Sequence, residues 1–163
     1  MYNGQLRTRP LRRLQTQFGM PVLDETAAAA NGLVLLFLPS HARTHLETPD
    51  IAAVLPDLVA LCAARMNAGT ANRISENGAN VKGSCVEGAC ATVPVSGAIA
   101  TATLEARLVR ETGDLSLPAL VLLHQGGVVG NIARMRAWGD YATRFATLLA
   151  PLTPLTPQPE PAP

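Results

Sequence analysis

The three cysteines carry the most distinctive chemistry in this sequence, since thiols can form disulfides, bind metal ions or act as nucleophiles. Cys85 and Cys90 stand in the segment CVEGAC, and their C-x4-C spacing differs from the C-x2-C pairs of a zinc ribbon. They are candidate redox thiols that could pair reversibly, although a glycine-rich loop can also hold cysteines without any thiol function. Cys62 falls in an apolar helical stripe and is therefore expected in the core.

The segment after the apolar run LVLLFL contains two histidines and two acids. His41 and His45 have H-x3-H spacing, but they lie in a predicted loop without an H-E-x-x-H pattern, so no metal site is predicted. Glu47 and Asp50 flank the predicted start of a helix, where the helix dipole favours negative charge. The same carboxylates could instead attract a basic peptide, and both interpretations stay open on this pattern.

Length and composition are typical of a compact globular protein and exclude several functions. The 163 residues are 48% apolar and 15% charged, which predicts one domain over 1–150 with a self-sufficient core. A net charge of +1 and an aromatic content of 4% argue against nucleic-acid binding. No apolar run reaches the roughly 18 residues that a membrane span needs, so we expect no direct membrane insertion.

The location is predicted from the N-terminal segment and from the cysteines. The twin arginine Arg12-Arg13 is not followed by the apolar run of a secretory signal, so we expect this segment to belong to the mature fold. Three cysteines, an odd number, suit a reducing compartment better than a disulfide framework. The predicted location is therefore the cytoplasm.

Hydrophobic periodicity and turn residues predict the elements that must position these side chains. A glycine- and asparagine-rich segment over 67–91 is expected to be a mobile insertion, and the proline-rich 151–163 a disordered tail. Trp138 is expected as a core anchor. The order predicts an α/β fold, a central mixed sheet with a C-terminal antiparallel hairpin and helices on both faces. The predicted helices cover 8–18, 25–31, a segment from Thr48, 103–113 and 137–149, and the predicted strands cover 33–38, 92–100, 119–124 and 128–133.

Two prolines occupy informative places in this order. Pro56 lies inside a predicted helix, and Pro118 stands at the head of a predicted strand, where its missing N–H is tolerated. A helix with an internal proline, Leu-Pro before a strand, a Gly-Gly hairpin and a closing helix together resemble the thioredoxin-like fold. The resemblance implies a cis Leu117–Pro118 bond beside the start of the kinked helix. Thioredoxins place Cys-x-x-Cys there, whereas this chain has Thr48 and Ile51, in TPDI.

Two longer segments carry a closer resemblance. LVLLFLPSHARTHLETPDIAAVLPDLVAL (33–61) and LPALVLLHQGGVVGNIARMRAWGDYATRFATLL (117–149) resemble the HyaE/HupG (HoxO-type) hydrogenase maturation family. The resemblance implies a non-catalytic chaperone for the small-subunit precursor of a membrane-bound nickel–iron hydrogenase. It would bind the twin-arginine signal peptide of that precursor before export, and other hydrogenase maturation proteins would be further partners. The insertion over 67–91 departs from the family pattern.

The resemblance does not itself name contact residues, and we infer that the partner-binding residues lie at the helix start and beside the strand-initiating proline. Carboxylates at the helix start would attract basic side chains, and the edge beside the proline would accept an extended peptide by backbone pairing. No cofactor is implied. An alternative of another class is a thiol-dependent redox protein that uses Cys85 and Cys90. The partner-binding set is Glu47, Thr48, Asp50, Leu117 and Pro118.

Overall fold

The described elements alternate between helix and strand along most of the chain. The computed structural model describes residues 9–30, 32–71, 94–113 and 115–152. In chain order the elements are α1 (Arg9–Phe18), β1 (Val22–Leu23), α2 (Glu25–Ala30), β2 (Leu33–Leu38), α3 (Thr48–Ala71), β3 (Val95–Ala100), α4 (Ala102–Thr112), β4 (Ala119–His124), β5 (Gly127–Ala133), α5 (Trp138–Leu149) and a 3-10 turn at Ala150–Leu152.

The five strands form one mixed sheet in the order β1-β3-β2-β4-β5. β1, β3 and β2 run parallel, whereas β4 runs antiparallel to both β2 and β5. The parallel β2–β3 pair is connected through α3, and β4–β5 is the C-terminal hairpin. This arrangement is the thioredoxin-like α/β fold, which confirms the predicted fold class.

The central strand β2 has both faces covered, and all six of its residues are buried. Successive side chains of a strand point to opposite faces. Leu33, Leu35 and Phe37 accordingly pack with residues of α1, α3 and α5. Val34, Leu36 and Leu38 pack in a second cluster with residues of α2 and α4. The two clusters place helices on both faces of the sheet, as the continuous apolar run predicted.

Two local expectations differ from the structure, and one short strand was not predicted. Helix α3 continues to Ala71, so it includes the first five residues predicted for the insertion; the rest of the insertion lies outside the described residues. Strand β1 spans only two residues, too few for a periodicity to predict. Trp138 is half-exposed rather than a core anchor, because the buried face of α5 follows Tyr141, Phe145 and Leu149, and that four-residue spacing extends back to Ala137.

The β4–β5 turn is centred on Gln125 and Gly126, one residue earlier than the predicted Gly126-Gly127. Both central residues have positive φ, 50° and 80°, as a two-residue hairpin turn requires. A Cβ on Gly126 would lie 2.7 Å from the Cα of Ala29, so glycine is also needed for the close packing of the turn against α2.

We expect Gly126→Ala to destabilise the fold more than Gly19→Ala. Both glycines have positive φ, 80° and 63°, but a Cβ at Gly19 meets no atom within 4 Å. The backbone penalty alone should cost about 1 kcal/mol at either position, and the collision with Ala29 should add about 1–3 kcal/mol at Gly126. Urea unfolding of both variants measures the difference, and equal costs would contradict the close approach to α2.

Candidate functional site

Four chain segments meet at one end of the sheet. Leu38 pairs with Ala119 and Ala119 pairs with Ala133, so the residues after β2, before β4 and after β5 are neighbours. The start of α3 joins them through the hydroxyl of Thr48, which donates a hydrogen bond to the carbonyl oxygen of Pro39 at 3.1 Å. The predicted helix-start and proline positions are therefore brought together in space.

Pro118 lies between the other segments, and the Leu117–Pro118 peptide is cis, as predicted. The carbonyl of Pro118 accepts a hydrogen bond from the backbone N–H of Arg134 at 2.8 Å. Proline has no N–H to return to the carbonyl of Arg134. The hydroxyl of Tyr141 lies 3.4 Å from that carbonyl and can donate to it instead. A side chain of α5 can thus bond the carbonyl of Arg134, which the proline leaves without an N–H donor.

The helix start contains no thiol at the positions of the thioredoxin redox pair. Thr48 is buried and its hydroxyl is engaged with Pro39, while Ile51 is fully buried in the core. The carbonyl of Glu47 accepts the N–H of Ile51 at 3.0 Å, so Glu47 is the N-cap residue and the predicted N-cap, Thr48, is the first residue of α3. These contacts make the helix start a closed, hydrogen-bonded junction.

Glu47 and Asp50, the two predicted acids, have different environments. The carboxylate of Glu47 lies 3.8 Å from Nη1 of Arg134 and accepts the backbone N–H of Met135 at 3.1 Å. Glu47 therefore connects the start of α3 to the loop between β5 and α5. Asp50 is exposed, and none of the described residues forms a hydrogen bond or ion pair with its carboxylate. Its charge is available to a partner.

Glu105, which sequence reasoning missed, holds the loop between β2 and α3. Its buried carboxylate accepts backbone N–H groups from Ser40, at 2.9 Å, and His41, at 2.8 Å. The ring Nε2 of His41 also contacts the carbonyl of Ala100 at 2.8 Å. The available signal was the three-residue spacing of Glu105 and Leu108, which places an acid beside the apolar face of α4.

The described part of the chain contains one cysteine, Cys62, and it is buried as predicted. Burial raises the pKa of its thiol to about 12, with a small opposing effect from the charge of Arg65. No three His, Cys, Asp or Glu side chains gather to form a metal site within the described ranges. Cys85 and Cys90 lie outside them, so their redox role stays a prediction.

Two curated proteins are related to this chain over most of its length. Both are named hydrogenase expression/formation protein HupG. The Rhodobacter capsulatus protein is 29% identical over 150 residues, 88% of this chain and 88% of that one. The Rhizobium leguminosarum bv. viciae protein is 23% identical over 153 residues, 89% of this chain and 83% of that one. A scan against models of known families found no match.

Solved structures with a similar arrangement include two thioredoxins. A mutant thioredoxin from Halobacterium salinarum NRC-1 has 13% identity and a TM-score of 0.42, covering 85% of this chain and 93% of its own. Spinach chloroplast thioredoxin F has 12% identity and a TM-score of 0.41, with 79% and 91% covered. A Rhodopseudomonas palustris CGA009 protein assigned as HupG has 21% identity and a TM-score of 0.38, with 83% and 99% covered.

None of the described helices combines the length and the apolar character that crossing a bilayer requires.

We expect the stability difference between the wild type and Cys62→Ala to shrink as pH rises above 9. The thiol ionises near its ordinary pKa of 9.0 when unfolded but near 12 when folded, so between these values unfolding releases a proton. The wild type should then lose about 1.4 kcal/mol of unfolding free energy per pH unit, a loss that the variant lacks. Urea unfolding at about pH 8 and about pH 10 measures this, because the comparison cancels the other titrating groups. A constant difference would contradict the burial of the thiol.

We expect Glu47→Ala to cost more stability than Arg134→Ala. The first variant loses both the ion pair and the hydrogen bond to Met135, about 1 kcal/mol for a partly exposed carboxylate. The second keeps the hydrogen bond and should cost less than about 0.5 kcal/mol. Urea unfolding gives both values, and amide hydrogen exchange at Met135 should accelerate only in Glu47→Ala. Equal exchange in the two variants would exclude the bond.

Proposed function

Since the chain belongs to the HupG-type, thioredoxin-like family, we propose that it is a non-catalytic chaperone in hydrogenase maturation. In this proposal it binds the small-subunit precursor of a membrane-bound nickel–iron hydrogenase through its twin-arginine signal peptide, in the cytoplasm and before export. Other hydrogenase maturation proteins are proposed as further partners. The observation that carries the proposal is the relation to two HupG proteins over nearly nine-tenths of the chain.

The closed helix start supports a non-catalytic role. In a thioredoxin-like reductase the first thiol is exposed at the helix N-terminus, which lowers its pKa and makes it nucleophilic. Here the equivalent residue is Thr48, whose buried hydroxyl donates to Pro39, and the second position is the core residue Ile51. Neither residue can form a mixed disulfide. The fold therefore keeps the helix start and the cis proline of the thioredoxin-like arrangement without thiols at the redox positions.

Asp50 is the acid that we propose as the contact for the arginines of the signal peptide. A guanidinium–carboxylate pair is charge-assisted and can be bidentate. Glu47 is also near, but its carboxylate is already shared between Arg134 and Met135. A partner arginine would have to compete with those groups at Glu47, whereas Asp50 is unpaired among the described residues. Glu47 and Thr48 then act mainly by positioning the helix start.

Backbone pairing beside Pro118 is the second element of the proposal. The carbonyl of Pro118 is used by Arg134, so it is not free for a peptide. The preceding residue, Leu117, is half-buried and forms no backbone hydrogen bond with any described residue. Its N–H and C=O are the groups that an extended peptide could pair with. The proposed contact surface therefore runs from Leu117 to Asp50.

Binding of the purified full chain to the precursor, with and without its signal peptide, tests this proposal. We expect binding that requires the peptide, weakens with added salt and falls about fivefold in Asp50→Lys at low ionic strength, because an exposed charge pair is replaced by repulsion. Asp57→Lys is the matched control, since it makes the same charge change on the exposed side of α3 two turns further on.

Three results would contradict the proposal. Equal binding to both forms of the precursor would place the contact on the mature subunit. Equal weakening by Asp50→Lys and Asp57→Lys would indicate a general charge effect rather than a contact at the helix start. Disulfide reduction that is lost in Cys85→Ser would overturn the non-catalytic role.

A further inference from the structure

Three of the large apolar side chains exposed in the described part of the chain lie on the segments that meet at the α3 start. Leu46 is 91% exposed, Trp138 50% and Met135 37%. We call these three residues the apolar patch. The others of this kind are Phe18, at the end of α1, and Val128, near the turn at the far end of β5.

The contacts of Glu47 bring the patch together. Leu46 directly precedes Glu47, whose carboxylate accepts the backbone N–H of Met135 at 3.1 Å. Trp138 follows three residues later as the first residue of α5, where the carbonyl of Ala137 accepts the first helical bonds. The three apolar residues are thus within a few residues of one hydrogen bond that joins two distant parts of the chain.

Tyr141 also fixes the loop between β5 and α5, which carries Met135 and leads to Trp138. The N–H of Arg136 donates to the hydroxyl oxygen of this buried tyrosine at 3.3 Å, and the same oxygen lies 3.7 Å from Sδ of Met135. A surface fixed before binding loses little conformational entropy when a partner docks. The patch is therefore pre-organised for binding, because the loop that carries it does not have to become ordered first.

Charge on the two segments that carry the patch is balanced. Over 43–50 and 134–140 there are three basic and three acidic residues, and Arg134 is paired with Glu47. With no net charge around it, an uncharged apolar segment can lie on the patch without charge repulsion, while Asp50, unpaired among the described residues, can contact a basic group beside it. The groove between α1 and α3 differs, because Arg9 and Arg13 line it beside Phe18 without an acidic lining residue.

Resting on the proposed function, we propose that the apolar patch binds the apolar h-region of the same signal peptide whose arginines contact Asp50. A signal peptide has a basic n-region followed by roughly 7–15 apolar residues. The surface offers a contact for each of these regions. Asp50 lies at the helix start for the basic residues, and the patch lies beside it for the apolar run. Methionine and tryptophan suit such a segment, since one adapts to varied apolar shapes and the other anchors interfaces.

Isothermal titration with synthetic signal peptides tests the assignment. One peptide is intact, one has its h-region leucines replaced by serine, and one has its arginines replaced by glutamine. We expect Trp138→Ala and Leu46→Ser each to weaken binding of the intact peptide about tenfold, and to leave binding of the serine peptide unchanged. Asp50→Lys should instead weaken binding of the intact peptide and the serine peptide and leave binding of the glutamine peptide unchanged.

Val128→Ser and Phe18→Ser are matched controls, and the outcomes separate the two proposals. If the wild type binds no signal peptide, the proposed function and this inference fail together. If the wild type binds but Trp138→Ala binds as tightly as Val128→Ser, this inference alone fails. A loss confined to Phe18→Ser would place the h-region in the α1–α3 groove and overturn the patch.

A second copy of the chain is the competing occupant. Sedimentation velocity decides this case: a wild-type dimer that dissociates in Trp138→Ala would overturn the assignment, whereas a monomer in both proteins supports it. Because Trp138 is half-exposed, circular dichroism and urea unfolding of Trp138→Ala should match the wild type.

Discussion

Burial of β2 on both faces is the constraint on which the candidate site depends. A strand without access to water must leave the core through a segment whose backbone groups find partners inside the protein. The loop after β2 does so through the carboxylate of Glu105, which accepts the N–H groups of Ser40 and His41, and the hydroxyl of Thr48, which donates to the carbonyl of Pro39. The helix start is therefore fixed by the same groups that close the end of the central strand.

This arrangement explains how the fold can be kept while redox chemistry is absent from the helix start. A reactive thiol needs exposure and an electropositive surround, and Thr48 has a buried side chain committed to a carbonyl. Cys62, on the core side of α3 about four turns after Thr48, is a poor nucleophile because burial raises the pKa of its thiol to about 12. Among the described residues, the end of the sheet presents instead the unpaired carboxylate of Asp50, the unpaired backbone groups of Leu117 and an apolar surface.

Local patterns predicted the parts of the structure that local physics determines. The run 33–38 predicted a strand covered on both faces, and Pro118 predicted a strand head, whereas its cis peptide was implied by the resemblance to the thioredoxin-like fold. The bridge from Glu47 to Met135 joins residues 88 apart in sequence, and no local pattern distinguishes it from an exposed acid at a helix start. Trp138 shows a different limit of sequence prediction. Its residue type suggested a buried position, whereas its place in the helical periodicity of α5 puts its side chain at the surface. The roles predicted for residues outside the described ranges, including the redox role of Cys85 and Cys90, stay predictions.

Trp138 is the single tryptophan of the chain, and the two tyrosines can be avoided by exciting at the red edge of the indole band. Its half-exposed ring therefore acts as an intrinsic optical probe located at the end of the sheet where Glu47, Tyr141 and Pro118 meet. Transfer of an indole from water to an apolar contact shifts its emission to shorter wavelength. The chain thus supplies its own spectroscopic signal, and occupancy of this surface can be followed in unlabelled material.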